Sequence, residues 1–115
     1  MSPSDAADRG DLLRGTLEML VLRTLLGGPL HGYAITESIF SGSGDVLDVD
    51  EGSMYPALYR MQRRGWIESR WGRSENNRRA KFYTITDEGR EQLELAAERW
   101  SRFSAAVGQV MEEAT

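Results

Sequence analysis

Apolar residues recur at helical spacing near the start of the chain, between residues 12 and 26. The positions that follow this spacing are Leu13, Leu17, Leu20, Val21 and Leu25. One apolar residue every three or four positions marks a helix that buries a single face. The sequence Gly27-Gly28-Pro29 predicts the end of this helix, because glycine suits a helix C-terminus and proline cannot continue the helix. A second, shorter helix is predicted over 31–40. Apolar residues and aspartates are interspersed between residues 45 and 50, which predicts a very short strand at 46–49.

A third helix is predicted to begin between Asp50 and Ser53, since both residue types cap helix N-termini. Pro56 is tolerated only in the first turns of a helix, which favours the later start. The apolar residues Met54, Leu58 and Met61 predict its buried stripe, and Gly65 predicts its end.

Two strands and a long helix complete the predicted pattern. Residues 66–71 and 80–86 are predicted strands, with a polar hairpin tip at 72–79. Thr86 or Asp87 caps a last helix that reaches about Glu113, and roughly 27 residues at about 1.5 Å each give ~40 Å. This is longer than the core of so small a domain needs, which predicts a dimer. Its heptad-like apolar stripe comprises Leu93, Ala97, Trp100, Ser104, Val107 and Met111.

Three short helices followed by a two-stranded hairpin predict a winged helix-turn-helix. The fold class is therefore mainly α with a small β-hairpin and a long C-terminal dimerisation helix. We divide the chain into a disordered N-terminal tail (1–10), a DNA-binding domain (11–86) and a dimerisation helix (87–115).

Charge changes this picture by marking one segment as the interface with a polyanion. Residues 60–81 contain eight of the fourteen basic residues of the chain and two of its eighteen acidic residues, whereas the whole chain carries a net charge of −4. Such a polarised distribution favours local binding of a nucleic acid, and the acidic remainder argues against indiscriminate coating of DNA.

Several classes of function find no support in the residue inventory. The chain has no cysteine and one histidine, His31, so neither a metal site nor a catalytic Cys–His or Ser–His arrangement is expected, and no cofactor motif is present. The acidic run at 45–51 misses the ligand spacing of a calcium loop. The polar N-terminus is not a signal peptide and no apolar run could span a membrane, which predicts a cytoplasmic protein.

Five motifs in this order resemble the PadR family of bacterial transcriptional regulators. They are GTLEMLVLRTL at 15–25, GPLHGYAI at 28–35, GSMYPALYRM at 52–61, GWI at 65–67 and SENNRRAKFYTIT at 74–86. The single long C-terminal helix is similar to the short PadR subfamily, and the hairpin tip resembles the acidobacterial-type branch. The resemblance implies a homodimeric winged-helix protein, in most cases a repressor. It also implies that the first helix, with Leu13 and Leu17, joins the last helix in the dimer interface.

The expected DNA-binding residues lie on the second and third helices and the hairpin. The resemblance carries this role onto Ser53, Tyr55 and Pro56, whereas Arg60 and Arg63 follow from the exposed face of the third helix, where a guanidinium can bind guanine or phosphate in a bidentate manner. The full predicted set is Tyr33, Ser53, Tyr55, Pro56, Tyr59, Arg60, Arg63, Arg73, Arg78, Arg79 and Lys81. The alternative is a solvated helix face and a solvated turn.

Trp100 and Phe103 are the predicted ligand-binding residues, because the resemblance implies that a tryptophan pair in the dimer can sandwich a flat aromatic molecule. The alternative for Trp100 is a plain interface anchor. The expected function is a homodimeric repressor of a double-stranded DNA operator, relieved by a small molecule. Alternatives are an activator, a repressor without ligand, and a winged-helix module whose basic face binds an acidic protein without any DNA binding.

Overall fold

Four helices and three strands make up the part of the chain that the computed structural model describes, residues 16–113. They are α1 (Leu17–Leu25), β1 (Leu30–His31), α2 (Gly32–Gly42), α3 (Glu51–Arg63), β2 (Ile67–Arg73), β3 (Arg79–Ile85) and α4 (Asp87–Glu113). This order confirms the predicted winged helix-turn-helix with a long last helix. The predicted tail 1–10 and Leu13 lie outside the described residues.

The core lies between the first three helices and the sheet. The predicted stripe of α3 is confirmed, since Met54, Leu58 and Met61 are each no more than 1% exposed. They pack with apolar side chains of α1 and α2, and Tyr83 of β3 is buried beside them. Removing this much apolar surface from water is the main force that holds the three helices together.

The sheet is antiparallel, with the strand order β1-β3-β2. Trp71 of β2 lies opposite Lys81 of β3, and Arg73 lies opposite Arg79 at the far end of the hairpin. The turn occupies only 74–78, so the strands extend further than predicted. β1 was not predicted, because a strand of two residues leaves no alternating pattern in the sequence.

The predicted strand at 46–49 was wrong, whereas α3 begins within its predicted range, though not at the later end of that range. Residues 46–49 form no strand: Asp45 has a positive φ of 64°, and the backbone N–H of Leu47 donates to the Ser43 hydroxyl instead of a neighbouring strand. α3 also starts earlier than Pro56 suggested. The Asp50 carboxylate accepts a hydrogen bond of 2.8 Å from the Ser53 N–H and caps a helix that begins at Glu51. Pro56 therefore lies in the second turn, where the cap and the core packing offset its missing N–H.

The end of α3 and the start of α4 are joined at one corner. Gly65 ends α3 with a φ of +79°, a left-handed conformation that glycine adopts without strain. The Thr86 hydroxyl donates to the Gly65 carbonyl over 2.6 Å and accepts from the Gly89 N–H over 3.0 Å. Thr86 therefore caps α4, as predicted, and fixes the direction of α4 relative to α3.

Only the first part of α4 packs on the domain. Gly89 and Leu93 are its buried residues, and every residue from 97 to 113 is exposed. The helix spans 27 residues, as predicted, and contributes to a longest molecular dimension of 53 Å. The side chains of the second half of α4 therefore lie exposed on the surface of the chain.

Candidate nucleic-acid interface

The outer face of α3 carries the central part of the predicted interface. At about 100° per residue, Pro56, Tyr59 and Arg63 lie opposite the buried stripe, and all three are exposed. The Arg63 guanidinium lies 5.8 Å from the centroid of the Tyr59 ring, within cation–π range. This contact restrains a long, flexible cation on the face where a base or phosphate would be met.

Arg60 lies on the flank of α3 that faces α1. Its Nε is 3.4 Å from one carboxylate oxygen of Glu18, and Nη1 of Arg64 is 3.3 Å from the other. Exposed ion pairs of this kind contribute less than about 1 kcal/mol, so a phosphate could replace Glu18 at small cost. Ser53 shares this flank, which separates it and Arg60 from the wing.

Tyr55 occupies the opposite flank, against the start of α2. A Cβ atom at Gly32 would lie 2.8 Å from the Tyr55 hydroxyl oxygen, so a side chain at this position would push the Tyr55 ring aside. Next to it, Nδ1 of His31 accepts a hydrogen bond of 3.2 Å from the Ala34 N–H and caps α2. The HGY motif thus brings Tyr33, which is exposed, close to Tyr55.

Glu37 lies one turn beyond Tyr33 along α2 and lines the same cleft. The hydrogen bond to this carboxylate and its negative charge raise the pKa of the Tyr33 phenol. A tyrosine phenol is already protonated at physiological pH at its ordinary pKa of about 10, and this shift keeps it so. The phenol has a single O–H, so Tyr33 can donate to a phosphate oxygen only by releasing Glu37, whose own charge opposes an anion nearby.

The hairpin, or wing, comprises residues 67–85 and gathers three cations on one face. Side chains of Trp71, Arg73, Arg79 and Lys81 share that face because opposite residues in the register point the same way. Arg79 lies 4.3 Å and Lys81 5.5 Å from the Trp71 ring, while Arg73 donates to the Asn77 carbonyl over 3.3 Å.

The wing and α2 and α3 enclose a cleft of about 740 Å³. Of the predicted DNA-binding residues, five line this cleft: Tyr33, Tyr55, Arg78, Arg79 and Lys81. The structure thus brings together the wing tip, the start of α2 and one flank of α3. The other predicted DNA-binding residues lie outside the cleft: Ser53, Pro56, Tyr59, Arg60, Arg63 and Arg73. Glu37 and Glu75 also line it, so the cleft is cationic but not uniformly so.

Trp71 is the residue that the sequence analysis missed. It lines the cleft, and 54% of its surface is exposed although it is a large apolar side chain. The sequence did contain a signal, since Trp71 and Arg73 alternate on the same strand face. Without the register of β2 and β3, nothing indicated that Arg79 and Lys81 would lie over the same ring.

The apolar stripe of α4 divides into a buried and an exposed part. Leu93 lies in the core of the protomer, and so does Leu17 of α1. Trp100 and Phe103 are exposed by 46% and 63%, and their ring centroids are 6.2 Å apart. The remaining exposed positions of the predicted interface are Ala97, Ser104, Val107 and Met111.

Residues 16–113 contain no group of three or more His, Cys, Asp or Glu side chains that could hold a metal ion. Across the same residues, no helix is both long and apolar enough to cross a membrane.

Comparison with known proteins places this geometry in a family. Residues 21–95 match the model of the transcriptional regulator PadR-like family. An uncharacterised protein of Lysinibacillus sphaericus is 26% identical over 104 residues, which cover 90% of this chain and 95% of the relative.

Solved structures agree with the family match. A transcriptional regulator from Clostridium thermocellum superposes with a TM-score of 0.78 at 27% identity, covering 86% of this chain and 96% of that one. A PadR-like transcriptional regulator from Bacillus cereus gives a TM-score of 0.74 at 33% identity, covering 88% and 96%. These neighbours are transcriptional regulators rather than enzymes, and this chain belongs to the PadR-like family of transcriptional regulators.

Proposed function

We propose that this chain is a homodimeric, cytoplasmic repressor that binds a double-stranded DNA operator through α3 and the wing. The observation that supports the proposal best is the cationic face of the wing beside the exposed face of α3. Winged helices insert the third helix into the major groove and place the wing along the adjacent backbone. In this arrangement Tyr59 and Arg63 face base edges, and Arg78, Arg79 and Lys81 face phosphates.

The wing itself gains from a polyanion. Arg73 and Arg79 lie directly opposite each other, and like charges in such a cross-strand pair destabilise a hairpin. Their side chains diverge, one towards the Asn77 carbonyl and the other onto Trp71. A phosphate between them would turn this repulsion into two favourable contacts, so the arrangement suits an anionic backbone.

The proposed dimer rests on the second half of α4. Trp100, Phe103, Val107 and Met111 lie within an arc of roughly 100° around the helix and continue the line of buried Leu93. Large exposed apolar surfaces of this kind mark interaction sites, and a two-fold axis would cover both copies at once. A dimer would present two copies of α3 to half-sites about one helical turn apart.

We expect Arg79→Ala to weaken binding and to reduce its dependence on salt. One lost phosphate contact lowers the slope of log K against log[salt] by about 0.9. The measurement is a titration, across a salt series, of a duplex that the wild-type protein selects from a random-sequence library. Arg70→Ala is the matched control, because it removes the same charge from the opposite face of β2 and should leave the slope unchanged.

The same titration separates DNA binding from the alternative. If the wild-type protein selects no duplex even at low salt, the repressor proposal is lost, and the alternative in which the basic face binds an acidic protein is favoured. If Arg70→Ala and Arg79→Ala reduce the slope equally, the wing face has no special role and only the overall charge matters.

Relief of repression by a flat aromatic molecule is the finer part of the proposal. Its support is the neighbouring Trp100 and Phe103 rings on the dimer face of α4. A ligand between the two copies would change the angle between the helices and hence the spacing of the wings. We expect an inducer to quench the tryptophan fluorescence of the protein and lower operator affinity while the dimer persists. A compound that quenches the fluorescence at full operator affinity counts against this relief.

A further inference from the structure

Trp71 is a large, exposed, uncharged side chain on the cationic face of the wing. Burial does not explain it, since more than half of its surface is accessible. Its indole instead serves as a platform: the Arg79 guanidinium lies 4.3 Å and the Lys81 ammonium 5.5 Å from the ring centroid. Both distances are within the range in which the ring quadrupole attracts a cation.

Position in the sheet explains how one ring holds two cations. Lys81 lies directly opposite Trp71, and Arg79 is the diagonal neighbour two residues closer to the turn. Both are within reach of an indole on the same face. Arg73 lies directly opposite Arg79, and the repulsion between their like charges favours a position of Arg79 over the ring. The Arg79 guanidinium therefore lies against Trp71 and away from Arg73.

Such a platform changes how the cations bind a phosphate. A free arginine or lysine side chain loses much of its rotamer entropy when it is fixed in a complex. A cation already held on a ring loses less, so each contact with the backbone becomes stronger. The ring leaves the outward donors of the guanidinium available, and the cleft in front of them is open.

We propose that Trp71 is a positioning residue for DNA binding, which holds Arg79 and Lys81 in place for adjacent phosphates of the operator backbone. This inference rests on the proposed DNA-binding function and adds to it a residue that bears no charge. Trp71 acts through the two cations. Removing its ring should therefore weaken DNA binding as if those charges were lost, although Arg79 and Lys81 remain in the chain.

The experiment compares Trp71→Ala and Trp71→Phe with the wild-type full chain on the selected duplex. We expect Trp71→Ala to lower affinity about tenfold at 0.15 M salt, and to lower the salt slope by about 0.9 to 1.8, as if one or two phosphate contacts were lost. Trp71→Phe should recover most of both, because a phenyl face also attracts cations. In an Arg79→Ala background, Trp71→Ala should cost clearly less than in the wild type.

Three results would overturn the proposal. An unchanged affinity and slope in Trp71→Ala would show that the cations need no platform. A weaker affinity at an unchanged slope would assign Trp71 to a direct apolar contact with DNA. Fully additive losses in the double variant would show that Trp71 and Arg79 act independently.

A measurement without DNA separates this inference from the proposed function. The Arg79 side-chain protons should show upfield ring-current shifts by NMR in the free wild-type protein, and these shifts should disappear in Trp71→Ala. If the shifts are present but no duplex is selected, the platform exists and the repressor proposal fails. If the shifts are absent while the duplex binds, the positioning role of Trp71 fails alone.

Discussion

Replacing Val107 with aspartate is expected to split the proposed dimer and to abolish tight operator binding. Val107 is 44% exposed on α4 and lies on the stripe that includes Trp100 and Met111. Two-fold symmetry places two copies of the change in one interface, and each buries an unpaired carboxylate. At about 2 kcal/mol or more for each, the dissociation constant of the dimer should rise at least about a thousandfold.

Operator affinity should fall with the dimer, because one winged helix contacts only a half-site. The oligomeric state would be measured by sedimentation velocity over a range of concentrations, and binding by titration of the selected duplex. Leu95→Asp is the matched control. Leu95 is 52% exposed on the same helix but faces away from the stripe, so this variant should remain dimeric.

Either of two outcomes would contradict the proposed interface. Val107→Asp could sediment as the wild type does at every concentration, which would place the contact elsewhere. Leu95→Asp could dissociate equally, which would show that any added charge on α4 destabilises the helix or its packing. Loss of operator binding by a Val107→Asp variant that remains dimeric would also separate DNA binding from the arrangement proposed for α4.

Periodicity predicted most of the fold, because the elements that carry the core have long and regular patterns. The stripe of α3 and the length of α4 follow from apolar spacing alone, and Thr86 is a recognisable cap. The errors lie where packing outweighs local preference. The alternation at 46–49 predicted a strand, yet no neighbouring strand in the described sheet pairs with it. The Leu47 N–H instead donates a hydrogen bond to the Ser43 hydroxyl.

The candidate site was less predictable, because it depends on contacts between distant parts of the sequence. The charge count located the wing, but the contact of Arg60 with Glu18 joins residues 42 positions apart. Arg60 was assigned to the DNA face from helical geometry alone, which cannot show that an acidic residue of α1 lies on the same flank. The role of Trp71 likewise required the register of the hairpin.

Gly89→Ala is expected to be the most destabilising single substitution proposed for this chain. Gly89 lies in the first turn of α4 with an ordinary helical φ, so glycine is not needed there for its conformational freedom. It is needed for space: an added Cβ would overlap the Trp66 carbonyl oxygen and lie 2.9 Å from a side-chain carbon of Ile85. The obstructing carbonyl is backbone and accepts the Thr86 N–H, so it cannot move without breaking the corner.

The cost of this overlap should reach about 3 kcal/mol, at the upper end of overpacking effects. For a domain of this size, the midpoint of thermal unfolding, followed by circular dichroism, should fall by roughly 10 °C or more. Gly42→Ala is the matched control, since a Cβ at that helical position meets no atom within 4 Å. It should be neutral or stabilise the protein by up to about 1 kcal/mol.

The corner at Gly89 also links stability to the proposed function, because it sets the direction of α4 relative to α3. Any Gly89→Ala molecules that remain folded must tilt α4 or bend the hairpin, and in a dimer either change alters the spacing of the two wings. Operator affinity measured well below the unfolding midpoint should therefore fall as well. A variant that unfolds within 2 °C of the wild type, a margin of less than about 0.5 kcal/mol, and binds the operator normally would show that the corner yields easily. In that case α4 could change direction at little energetic cost. A ligand bound at Trp100 could then reorient α4 without a large loss of stability at the Gly89 corner.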